Sequence, residues 1–146
     1  MEWLQIVAVV VVGLMVGVEL SVAFVVNPIV DRLPGNAGLL ARSDGARMLG
    51  RVMPFWYVGS TLLAAGSALS DAAAAAPAWS AVALLVVSVV MSLALLVPIN
   101  DRSKGWTPET APADWREQIG QWDRLHMVRL ALIVAAFVLV TVAAAR

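Results

Sequence analysis

The chain has 146 residues, 61% hydrophobic and 14% charged, with ten basic and ten acidic side chains and no cysteine. That composition excludes a disordered segment and argues against an ordinary soluble domain. A net charge of zero offers no basic surface for nucleic acid, and without thiols neither a disulfide nor a thiolate site can form.

The first apolar stretch, Trp3 to Val30, is interrupted by Gln5, Glu19 and Asn27 and is otherwise apolar. Its opening, MEWLQ, lacks the basic region of a secretory leader, and Glu19 breaks the apolar run. A retained helix over about 4–30 is therefore expected despite a cleavage-like SVA at 21–23. GLMVG at 13–17 lets two helix backbones approach closely in lipid. Gly13 and Gly17 serve either packing within the chain or a homo-oligomer seam. A charge at the position of Glu19 costs about 3 kcal/mol on insertion scales, so it should face the bundle interior and have a partner. Glu19, Ala23 and Asn27 share one helical face, with Asn27 about 12 Å along the axis from Glu19.

The segment DRLPGNAGLLARSDGAR predicts a turn and then a helix start near Ser43 or Asp44. A second span is expected over about 50–70. Pro54 is tolerated there because freed carbonyls find other donors in membranes. Gly59, Ala64 and Gly66 suit close packing. The short connection SDAAAAAPAW makes the next span, about 78–99, an antiparallel neighbour, with the alanine run read as a fraying helix end. That third helix ends in LVPIND, where Pro98 frees a carbonyl one turn earlier, next to Asn100, Asp101 and Arg102.

The last span, about 124–145, extends a helix expected to begin near Pro112. Trp115, Ile119, Trp122, His126, Arg129 and Ile133 fall on one continuous stripe of it. The stripe is aromatic at the interface, ionisable at the membrane boundary and aliphatic deeper in. Trp3, Trp106 and Trp115 suit anchoring at headgroup depth.

Arg32, Arg42, Arg47 and Arg51 lie in the first connection, and Arg102, Lys104, Arg116 and Arg124 in the third, against none in the second. The positive-inside rule puts 31–50 and 100–122 in the cytoplasm and both termini outside. The expectation is an all-α, multi-pass cell-membrane protein, one four-helix bundle spanning 1–146.

The connectivity brings the ends of the first and third helices and the start of the fourth to one side. Asn27, Asn100, Trp122, His126 and Arg129 should gather there in one layer, with Glu19 deeper, as a site for an apolar small molecule or lipid. Plainer readings stand beside it. Arg129 either snorkels to phosphates or neutralises Glu19 as architecture, and His126 either acts chemically or is a satisfied buried donor. One histidine, no cysteine and no HExxH leave too few familiar ligands for a metal, so neither a metal nor another cofactor is expected.

VPINDRSKGW and DWREQIGQWDRLHMVRLAL, with VVNPIV at the end of the first helix, resemble a family of small four-helix membrane proteins that includes fungal anthrone oxygenases. Asn100, Trp115, Trp122, His126 and Arg129 carry the specific part of the likeness. The resemblance implies oxidation of an anthrone-type phenol to a quinone, with molecular oxygen as co-substrate. Such a carbon acid, once deprotonated, can pass an electron directly to oxygen. On that footing His126 is the expected base, Arg129 and Asn100 stabilise the oxyanion, and Trp122 stacks on the rings. Asn27 and Trp115 help to position the substrate. Glu19 orients or relays protons, or is itself the base. Two other readings use the same residues: a non-catalytic scaffold or lipid-binding protein, and a proton-coupled transporter.

Overall fold

The computed structural model describes residues 2–146. The helices run α1 (Glu2–Ser21), α2 (Asn27–Val30), α3 (Ala37–Ser70), α4 (Ala75–Met91), α5 (Val97–Ser103) and α6 (Trp115–Ala144). A π turn, Val22–Val26, joins α1 to α2, and another, Ser92–Leu96, joins α4 to α5. The chain is thus four rods: α1–α2, α3, α4–α5 and α6. Each is long and apolar enough to cross a membrane, with mean hydropathy of 2.6, 1.3, 2.8 and 2.5 in chain order. Among the described residues there is no strand.

Both π turns precede a proline, Pro28 or Pro98, in the second position of the next helical segment. A proline ring clashes with the carbonyl four residues back, here that of Phe24 or Ala94. Widening the turn moves that carbonyl aside, and the Asn27 and Val97 amides bond instead to Val22 and Ser92, five residues back.

The third rod packs on the second and fourth, and the first rod also packs on both, closing a ring. Its centre is built from small and medium side chains, Ala8, Val12, Met15, Ala64, Ala81, Leu85, Ile133 and Ala136. The outer faces are equally apolar: Phe55 is 80% and Leu69 77% exposed, as expected of surfaces that meet lipid rather than water. Gly13 takes an intramolecular contact, since a Cβ there would come within 2.9 Å of the Phe137 ring, whereas Gly17 meets nothing within 4 Å. Trp56 Nε1 donates to the Val11 carbonyl at 2.9 Å, tying α3 to α1.

Three boundaries differ from expectation. α3 begins at Ala37, not at Ser43 or Asp44. Gly35, at φ +59°, turns the chain, and Gly38 lets α3 start against the Val30 carbonyl, which a Cβ would approach to 2.9 Å. Ser43 is buried within the helix. α6 begins at Trp115, three residues after Pro112. The alanine run forms the turn after α3 and the start of α4, held by the Asp71 carboxylate accepting from the Ala73 amide at 2.9 Å. At about 1.5 Å per residue α3 and α6 far exceed the hydrocarbon thickness. Much of 31–50 and 100–122 is consequently helix projecting beyond it, and the irregular loops are shorter than expected.

Candidate functional site

Halfway through the bundle the first and fourth rods carry a charge each, Glu19 and Arg129, both buried. One guanidinium nitrogen of Arg129, Nη2, donates to Glu19 Oε1 at 3.1 Å and Oε2 at 3.0 Å. It also reaches His126 Nδ1 at 3.0 Å. The other terminal nitrogen, Nη1, donates to Ser92 Oγ at 3.2 Å, the residue that opens the second π turn. Tyr57 of α3 donates its hydroxyl to Glu19 Oε1 at 2.9 Å. All four rods therefore meet on one ion pair.

Nε2 of His126 lies 3.2 Å from the Glu19 backbone carbonyl, which can only accept, so Nε2 carries a proton. Nδ1 lies between the Arg129 guanidinium at 3.0 Å and Glu19 Oε2 at 3.4 Å. The ring stacks on Trp122 with centroids 4.7 Å apart and planes inclined by 17°. The guanidinium carbon of Arg129 also lies 5.4 Å from the Tyr57 ring centre and 5.9 Å from that of Trp122. A histidine so held fixes the position of Arg129.

Beside this cluster lies a cavity of about 680 Å³. Glu19, Tyr57, Ser92, Trp122 and Arg129 line its inner part. Leu49, Met53, Pro54 and Val58 of α3 and Val89, Leu93 and Val97 of the third rod form its apolar walls. Gly50, where an added Cβ would meet nothing within 4 Å, and Ala46 leave the space open. Toward the charged end of the bundle the lining becomes polar, with Arg47, Arg51, Asn100, Asp101 and Lys104. The volume is in the range of small-molecule sites.

The model of the anthrone oxygenase family matches residues 45–139. The chain belongs to the anthrone oxygenase family. No curated protein and no solved structure matches it. Tyr57, Ser92, Asn100, Trp122, His126 and Arg129 lie inside the segment matched to this family, whereas Glu19 and Asn27 precede it.

The residues singled out from the sequence separate into three groups. Glu19, Arg129, Trp122 and Asn100 line the large cavity. His126 does not: it is buried behind Trp122 and Arg129 and borders a small hollow of about 100 Å³ on the far side, with Asn27 and Asp123. Asn27 faces away from the large cavity, donating to Asp123 Oδ1 at 3.0 Å. Trp115, at the start of α6, carries Arg116 over its ring at 4.4 Å and is not in the cavity wall. A smaller hollow of about 70 Å³ brings Asn27, Asn100 and Trp122 together, so part of the expected layer is present. On α6 the side chains at 122 and 129 reach the large cavity while the one at 126 does not.

Two residues were missed. Tyr57 sits in the aromatic run PFWYV, which reads as ordinary membrane-facing sequence until α3 is docked. Arg42 is the other. It is buried at the charged end, with Nε and Nη2 donating to Asp31 at 2.9 and 2.7 Å, and Nη1 and Nη2 donating to Asp123 at 2.9 and 2.8 Å. This clamp binds the second, first and fourth rods. Among the described residues no three His, Asp or Glu side chains gather as a metal-ligand set.

Proposed function

We propose that the protein is a membrane-embedded oxygenase that oxidises an anthrone-type polycyclic phenol with molecular oxygen and no bound cofactor, and that Glu19 is its base. One observation carries this reading: the Glu19 carboxylate lines a cavity of about 680 Å³ together with Tyr57, Arg129 and the face of Trp122. A carboxylate beside an apolar cavity wall is a competent base toward a carbon acid, and fixed donors beside it stabilise the oxyanion that forms.

In this mechanism the methylene of the substrate loses a proton to Glu19, and the resulting enolate oxygen is held by Arg129 and Tyr57. The carbanion gives one electron to oxygen. Collapse of the radical pair forms the C–O bond, and Glu19 returns its proton to the peroxide anion to give a hydroperoxide. Glu19 then takes the second methylene proton as the O–O bond breaks, and the hydroxide that leaves accepts that proton, giving the quinone carbonyl and one water. Trp122 stacks on the rings. His126 is a positioning residue that holds Arg129 and the Glu19 backbone. The arginine-rich end of the bundle faces the cytoplasm, and both termini lie outside.

Oxygen uptake and quinone absorbance with hydroxylated anthrones test this. The expected result is turnover by the parent, none by Glu19→Gln, and a reduced rate with an unaltered pH profile for His126→Ala. Undiminished turnover by Glu19→Gln removes Glu19 as base, and no uptake by the parent with any such phenol removes the activity.

A further inference from the structure

The large cavity is electrically lopsided. At its inner end Glu19 and Arg129 neutralise one another at 3.0 Å. Its mouth carries three cations, Arg47, Arg51 and Lys104, against one carboxylate, Asp101. Two of the cations are occupied. Arg47 pairs with Asp44 at 2.7 Å and donates to the Lys104 carbonyl at 3.0 Å, and Lys104 pairs with Asp101 at 2.8 Å. Arg51 has no ion-pair or hydrogen-bond partner among the described residues. Six residues separate it from Tyr57 on α3, about 9 Å of rise, and the lining between them is apolar.

We propose that the ligand of this cavity is an aromatic acid, a polycyclic phenol bearing a carboxylate that rests on Arg51 while the ring to be oxidised lies against Glu19 and Tyr57. The reacting end rests on the proposed function; the anion end rests on the mouth alone. The charge pattern also orients the molecule. At the inner end the guanidinium of Arg129 is already paired with Glu19, whereas at the mouth a carboxylate gains the unpaired guanidinium of Arg51. A small inorganic anion would leave the apolar walls at Val58, Leu93 and Val97 unused, and a neutral polycycle would leave Arg51 unused.

The test is binding rather than turnover. The full chain is placed in nanodiscs of phosphatidylcholine, and tryptophan quenching is titrated with an anthraquinone carboxylic acid and with the parent anthraquinone. The acid should bind about tenfold more tightly, the scale of one charged hydrogen bond. Arg51→Gln should abolish the difference, and Arg51→Lys should restore most of it. Equal affinities in the parent protein, or a preference that survives Arg51→Gln, overturn the proposal. So does phosphatidylglycerol that binds through Arg51 and cannot be displaced by the acid, which would assign the mouth to a lipid headgroup. Failure of oxygen uptake removes the oxygenase reading but does not alter this binding difference, so the two fail separately.

Discussion

Arg129 spans the bundle to Glu19 with a single guanidinium nitrogen, Nη2, which donates to both carboxylate oxygens at 3.1 and 3.0 Å while also reaching His126. A buried ion pair contributes little net stability, but removing one partner strands the other. Glu19→Leu or Arg129→Met alone should each destabilise the protein by about 3–5 kcal/mol. The double variant should be less destabilised than the two losses summed. Unfolding in mixed micelles with increasing dodecyl sulfate measures all three, and strict additivity would show that the pair is not coupled.

Tyr57→Phe keeps the ring that packs beside Arg129 and removes only the hydroxyl that donates to Glu19 at 2.9 Å. A hydrogen bond to a charged group is worth about 1.5–3 kcal/mol. Since the carboxylate keeps its arginine, the variant should fold. It should lose about tenfold or more in kcat/KM for oxygen uptake. An unchanged kcat/KM would place the hydroxyl outside the reaction.

Gly50→Leu should narrow the cavity without disturbing the bundle, because an added Cβ there meets nothing within 4 Å. Stability should change by no more than about 0.5 kcal/mol. Binding of a polycyclic ligand and oxygen uptake should both weaken. Retained ligand affinity in this variant would show that the cavity beside α3 is not where the ligand sits.

Arg42→Ala leaves Asp31 and Asp123 facing each other without their shared cation. Their side chains are 49% and 34% exposed, so water compensates part of the loss. About 1–2 kcal/mol is expected rather than the full penalty of a buried pair. The effect should be local, with amide exchange accelerating in Asp31–Leu40, where α2 hands over to α3, and unchanged near Leu85. Uniform acceleration would mean that the clamp supports the whole bundle.

The amino-acid sequence by itself determined the four apolar rods, their antiparallel order, the end at which arginine and lysine collect, and the presence of Glu19 and Arg129 where hydrocarbon should surround them. Composition and segment length are sufficient for those conclusions, because every backbone group in lipid must bond within its own helix. Only the tertiary structure decided which way each rod faces. In water an apolar stripe marks the buried side, but here the core and the lipid surface are both hydrocarbon, so the pattern carries no orientation. Tyr57 was therefore indistinguishable from its neighbours Phe55 and Trp56, and Arg42 from the other loop arginines. The two π turns add a second reason: each inserts a residue and re-phases everything beyond it by about 100°. For the same reasons the stripe on α6 looked like a single surface, although docking sends Trp122 and Arg129 to the cavity and leaves His126 behind them.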